Sequence, residues 1–156
     1  MKNPIQILSD IIKENKIDLS FNIIEIGAVQ ITDTQEPFYQ LLDYFPSSNI
    51  IGFELEEEVC SKMNANAKKG VKYYPYALGK ANEKRKLYIT QNPMCSSLYK
   101  PNEELIKLYN RFEVAYLKEE TEINTITLDH FIEQNKIGEI DFIKIDVQNI
   151  FINCNI

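Results

Sequence analysis

Residues 21–54 limit the fold more than any other stretch. Ile23-Ile24-Glu25-Ile26 is an apolar run that breaks at Gly27-Ala28, and Asn49-Ile50-Ile51-Gly52-Phe53 is a second that ends in Glu54. Apolar runs without alternation read as strands buried on both faces, as in parallel sheets. Between them Phe38, Leu41, Leu42 and Phe45 recur at helical spacing, which gives one core-facing stripe. Asp33-Thr34-Gln35-Glu36 resembles a capping box, and Pro37 is tolerated in the first turn. Strand, glycine turn, helix, strand and terminal carboxylate is how α/β proteins hold an adenosine-bearing cofactor at the carboxyl ends of neighbouring strands.

The rest of the chain continues this pattern. Ile5, Leu8, Ile11 and Ile12 predict a leading amphipathic helix within residues 1–20. Glu56-Glu57-Glu58 and Lys68-Lys69-Gly70 bracket a helix with the charges its dipole favours, and Val59, Met63 and Ala67 form its inner face. Residues 71–76 predict a third strand, which Pro75 places at an edge. Short strands are expected over 86–90 and 122–126, a loop over 92–98, and helices over 102–112 and 127–136. In the helix over 102–112, Leu105, Leu108 and Phe112 fall on one side. Residues 140–147 are a nearly continuous apolar run that reads as a central strand with Asp146 at its carboxyl end. Lys144 inside that run is unusual, and it is expected to pair with an acid or reach a sheet edge. With 156 residues and no internal repeat or linker, the length indicates one domain.

Composition excludes several classes. A formal charge of −6 offers no global attraction to nucleic acid or anionic membrane, so neither is expected as a partner. Cys60, Cys95 and Cys154 are far apart and lack histidine pairing, which argues against a metal site and for free thiols in a reducing compartment. The N-terminus lacks the apolar core of a signal peptide, and no run could span a membrane, so a cytoplasmic protein is expected.

The glycine count then addresses the cofactor. A dinucleotide site normally carries three glycines, because the backbone must approach a pyrophosphate. Here Gly27 stands alone, with Val29 two positions later. S-adenosylmethionine has no phosphate and needs one close backbone approach and an acid for the ribose hydroxyls. Gly27 and Glu54 supply these, so the residues lean toward a methyl donor.

Seven pieces in order carry a family resemblance: Ile24-Glu25-Ile26-Gly27-Ala28; Glu36-Pro37-Phe38-Tyr39 with Leu41-Leu42; Ile51-Gly52-Phe53-Glu54; Tyr76-Ala77-Leu78-Gly79; Ser96-Ser97-Leu98-Tyr99-Lys100-Pro101-Asn102; Thr127-Leu128-Asp129; and Asp141-Phe142-Ile143-Lys144-Ile145-Asp146-Val147-Gln148. Over residues 22–148 the chain resembles the FkbM-type S-adenosylmethionine-dependent methyltransferases. The resemblance implies a Rossmann-like class I methyltransferase fold, a mostly parallel sheet flanked by helices, and O-methylation of a hydroxyl on a sugar or secondary metabolite. By position, Glu25, Gly27 and Ala28 would line the methionine end and Glu54 would hold the ribose diol. Leu55 and Ala77 would flank the adenine. Asp146 would sit beside the transferred methyl, as base or as the group that orients the acceptor. Ser96 and Ser97 would belong to a substrate loop for a small-molecule or glycan acceptor. Each has a plainer reading: Glu25 as a helix-facing acid, Asp146 as a strand-end cap, the serines as turn formers, and His130 as structural or exposed.

The resemblance ends at Gln148. Asn149 stands where the family has glycine, the following acid is absent, and residues 149–156 form an unassigned tail. On this reading the domain over 21–148 is incomplete, with the C-terminal strands missing. The 140–147 strand would then present an open edge for self-association, and the chain could be inactive. The alternative is a non-catalytic remnant or interaction module that keeps the cofactor-binding half of the fold.

Overall fold

Isoleucine runs that must be buried on both faces pair side by side, and this builds the central sheet. The computed structural model describes residues 3–28 and 36–147. Strands β1 (Asn22–Ile26), β2 (Asn49–Phe53), β3 (Val71–Tyr74) and β7 (Phe142–Ile145) form a four-stranded sheet in the order β3-β2-β1-β7. Every pairing in it is parallel. Ile23, Ile24, Ile26, Ile50 and Phe53 are buried, each stabilising the fold by roughly 2 kcal/mol relative to exposure. The result is a mixed α/β protein with a mainly parallel sheet flanked by helices, as the sequence predicts. β3 lies at an edge with Pro75 just beyond it, because proline cannot donate to a ladder.

The chain divides into two compact units, the first up to Pro75 together with Lys136–Asp146, the second Tyr76–Asn135. In the first, α1 (Pro4–Glu14) is capped by Asn3, whose side chain accepts from the Ile5 amide at 3.0 Å. Its inward face is not the expected stripe. Leu8 and Ile11 are exposed, and the buried residue is Ser9, whose hydroxyl donates to the Tyr44 carbonyl at 3.2 Å. A small polar side chain there lets α1 approach α2 (Leu41–Tyr44) closely.

The predicted helix ahead of β2 is shorter than its stripe. A single 3-10 turn, Pro37–Gln40, runs into α2. The turn and α2 set Tyr39 and Leu42 against Ile23 and Ile50, with Phe38 and Leu41 packed around them. Asp33, Thr34 and Gln35 of the expected capping box lie outside the described residues. Helix α3 (Glu57–Ala65) has its acids at the N-terminus as predicted. Its Asn64 side chain accepts from the Tyr73 amide at 2.9 Å and donates to the Tyr73 carbonyl at 2.8 Å. One side-chain amide thereby satisfies both backbone groups of Tyr73 on the outer edge of β3, groups that would otherwise be open to pairing.

In the second unit a three-stranded sheet has the order β4-β6-β5, from β4 (Ala77–Leu78), β5 (Glu83–Thr90) and β6 (Leu117–Ile126). β5 and β6 are longer than the apolar segments predicted. Their antiparallel register sets Lys86 opposite Glu122 and Tyr88 opposite Glu120, and Lys86 Nζ lies 2.8 Å from Glu120 Oε2. Opposite charges across a ladder stabilise strands that have no apolar alternation. The helix expected over 102–112 contracts to α4 (Glu103–Ile106). Leu105, Leu108 and Phe112 are exposed, and a stripe that buries nothing cannot hold a short helix. α5 (Leu128–Asn135) begins at Thr127, whose hydroxyl accepts from the His130 amide at 3.2 Å, and it buries Leu128 and Phe131. Cys60 and Cys95 are free thiols, as expected, and burial pushes the Cys60 thiol upward. Cys154 and the 149–156 tail lie outside the described residues.

Candidate functional site

The parallel register places one residue from each strand in a single transverse row: Tyr73 on β3, Gly52 on β2, Glu25 on β1 and Lys144 on β7. The row lies one residue short of each strand's carboxyl end. Gly52 is the gap in it. A Cβ at position 52 would come within 2.3 Å of Tyr73 Cδ1, so the missing side chain is the space in which the Tyr73 ring lies.

Through that gap Tyr73 reaches the centre. Its hydroxyl is 2.8 Å from that of Tyr39, which donates to Glu25 Oε2 at 2.6 Å. On the other side Lys144 Nζ lies 3.6 Å from Glu25 Oε1, 3.5 Å from Glu36 Oε1 and 3.5 Å from Asp146 Oδ2. One ammonium therefore faces three carboxylates. This answers the oddity of Lys144 in the way expected, by pairing with acids. A charge buried as deeply as Glu25, 2% exposed, requires partners of this kind. Burial pushes the Glu25 carboxyl above its ordinary 4.5, with Tyr39 and Lys144 pulling it back. Burial also raises Tyr39 and Tyr73, and the bond to Glu25 raises Tyr39 further.

A carboxyl raised by folding holds its proton more tightly folded than unfolded. Its contribution to stability is complete below the unfolded value near 4.5 and is lost as pH rises through the folded one. Glu25→Gln removes this titration. Denaturant unfolding of parent and variant across pH 4 to 8 should therefore show the difference moving steadily in the variant's favour as pH rises. A difference independent of pH would show that Glu25 does not titrate upward.

The strand ends complete the site. Gly27 has φ +77, a left-handed conformation that disfavours other residues. The amides of Gly27 and Ala28 both donate to the Phe53 carbonyl at 3.2 Å, which ties the β1 turn to the end of β2. Glu54 follows directly, its carboxylate accepting from the Glu56 amide at 2.9 Å, and burial raises its carboxyl. Asp146 follows β7, its amide bonded to the Ile26 carbonyl at 3.0 Å and its side chain 69% exposed. Glu25, Gly27, Glu54 and Asp146 thus converge at adjoining strand ends of the first unit.

The other predicted residues are placed differently. Ala28 is 2% exposed and packs with Cys60 and Tyr73, and Leu55 is half-buried beside Glu54. Ala77, Ser96 and Ser97 belong to the second unit. Ala77 is buried in β4, while the Ser96 and Ser97 hydroxyls accept from the Thr90 and Tyr99 amides at 3.2 and 3.1 Å. Sequence reasoning missed Tyr39, Tyr73 and Glu36 as site residues. The available signal was Gly52, since a glycine inside a strand marks close approach by another group.

Among the described residues no group of three or more histidines, cysteines or acids could hold a metal ion. No described helix is long and apolar enough to cross a membrane. Residues 20–150 match the family model described as Methyltransferase FkbM domain. No curated protein and no solved structure matches the chain.

Proposed function

The chain belongs to the FkbM methyltransferase domain family, and from that premise we propose that it binds S-adenosylmethionine at the β1, β2 and β7 ends and methylates a hydroxyl of a sugar or secondary metabolite. The observation that carries the reading is the excess of acid there. Among the described residues Lys144 is the one cation paired with Glu25, Glu36 and Asp146, and Glu54 stands at the neighbouring strand end. Such a field favours a cation and opposes a polyphosphate. The amides of Gly27 and Ala28 point the same way: both are spent on the Phe53 carbonyl, so neither is left to cradle a pyrophosphate.

When bound, S-adenosylmethionine supplies an electrophilic methyl carried on a sulfonium. The chain's own residues supply position and charge. Gly27 keeps the β1 turn free of a side chain, and Glu54 offers a carboxylate to the ribose hydroxyls. Asp146 presents an exposed carboxylate to take up the acceptor's proton.

Titration calorimetry with S-adenosylmethionine, S-adenosylhomocysteine and NAD tests the reading. The first two should bind and NAD should give no heat. Glu54→Ala should weaken S-adenosylmethionine by about tenfold or more, the loss of charge-assisted hydrogen bonds worth about 1.5–3 kcal/mol. NAD binding without S-adenosylmethionine binding would overturn it.

A further inference from the structure

Between β5 and β6 the chain makes a long excursion that closes on itself. The Gln91 amide donates to the Tyr116 carbonyl at 3.0 Å and the Asn92 amide to the Val114 carbonyl at 2.9 Å, so its two ends are pinned together. A bridge between Tyr88 and Ser97 ties its first turn to β5. Compact loops closed at the base are common carriers of binding sites. This one encloses an open cavity of ≈ 390 Å³, within the range of small-molecule sites.

The lining of the cavity has a consistent chemistry. The chain carries 23 acids, yet none of the described residues lining the cavity is an acid. Donors and rings stand there among apolar residues such as Ile106 and Val114. Asn102 uses its carbonyl oxygen to accept from the Leu105 amide at 3.1 Å, which leaves its NH2 available to donate. Ser97 accepts from the Tyr99 amide at 3.1 Å and keeps its hydroxyl proton. Lys100 lies 4.0 Å from Glu120, whose other oxygen is held by Lys86 at 2.8 Å. Arg111 lines the cavity, and among the described residues its guanidinium has no ion pair or hydrogen bond. Tyr99 and Phe112, both about half exposed, add flat apolar walls.

Arg111 also holds φ +71, a conformation that costs an L side chain roughly 1–2 kcal/mol. A turn of this shape would be easier with glycine. The arginine there carries strain and delivers an unpaired cation to the cavity.

We propose that this cavity binds an anion carried on a ring, a phosphate or carboxylate held by Arg111 and Lys100 with its ring against Tyr99 and Phe112. A guanidinium matches either oxyanion through paired donors, and aromatic faces stack on planar or sugar rings. The site does not rest on the methyl-donor reading, and its failure would leave that reading untouched.

Calorimetry and amide chemical-shift titration of the full chain test it, with phenyl phosphate and glucose 6-phosphate as ring-bearing probes and inorganic phosphate and phenol as controls. At least one ring-bearing probe should saturate, shifting amides between residues 97 and 114 and binding tenfold or more tightly than either control. Arg111→Gly should weaken it tenfold or more without lowering the melting temperature, since glycine accepts the backbone there. Lys100→Ala, away from the strained turn, should weaken it severalfold. The proposal fails if neither probe saturates, if inorganic phosphate binds as tightly, or if Arg111→Gly binds like the parent.

Discussion

Gly52→Ala should destabilise the protein by about 3 kcal/mol, near the upper end of the cost of overpacking a core. Elsewhere in a strand, alanine for glycine is neutral to favourable. Here the added methyl would meet Tyr73 Cδ1 at 2.3 Å, Cε1 at 2.7 Å and Ala28 Cβ at 3.1 Å. The ring cannot swing away cheaply. Its backbone amide and carbonyl are both held by Asn64, its hydroxyl is bonded to Tyr39, and the residue is 6% exposed. Displacing it also strips a partner from Tyr39, which supports the buried Glu25 carboxylate. Chemical denaturation of a double-mutant cycle measures this directly. In a Tyr73→Ala background, Gly52→Ala should cost less than about 1 kcal/mol, a coupling that isolates the clash. An equal cost in both backgrounds would mean that the gap at position 52 does not exist for Tyr73.

How far the sequence disclosed this site follows from which interactions have a local signature. The β1 and β2 runs, the Gly27 turn and Glu54 were readable because burial on both faces and a glycine break leave a pattern in neighbouring residues. Lys144 stood out for a related reason, an ammonium inside an apolar strand, but its partners lie 119 and 108 positions away at Glu25 and Glu36. Tyr39 was visible only as part of a resemblance and Tyr73 only as a strand residue, since what joins them is a hydrogen bond between a turn residue and a strand residue 34 positions apart. The 102–112 segment shows the opposite error. Its helical spacing is real, but spacing states which residues share a face, not whether anything covers it, and Leu108 is 77% exposed. Between β5 and β6 Lys86 meets Glu120 and Glu122 across the ladder, a contact that a search for apolar runs along one strand passes over.

Asp146→Asn should lower the turnover number by about 10²–10⁴-fold, the range of a positioned proton acceptor, with S-adenosylmethionine affinity unchanged. The argument rests on how the carboxylate is held. Its amide is fixed to the Ile26 carbonyl and its Oδ2 faces Lys144 at 3.5 Å. Among the described residues Oδ1 has no ion pair, on a side chain 69% exposed. In the proposed reaction the acceptor's hydroxyl proton passes to Oδ1 as the oxygen attacks. Lys144 cannot do this as an ammonium, and Glu25 cannot reach an acceptor because it is sealed beneath Tyr39. The measurement is release of S-adenosylhomocysteine in the presence of a panel of sugar acceptors, with cofactor binding followed in parallel by calorimetry. Asparagine keeps the shape and the backbone bond but cannot accept the proton, so a merely structural role would leave the rate near the parent's. A rate preserved in Asp146→Asn would move the base elsewhere. A rate lost together with cofactor affinity would instead make Asp146 a ligand of the cofactor, and the two readouts separate these cases.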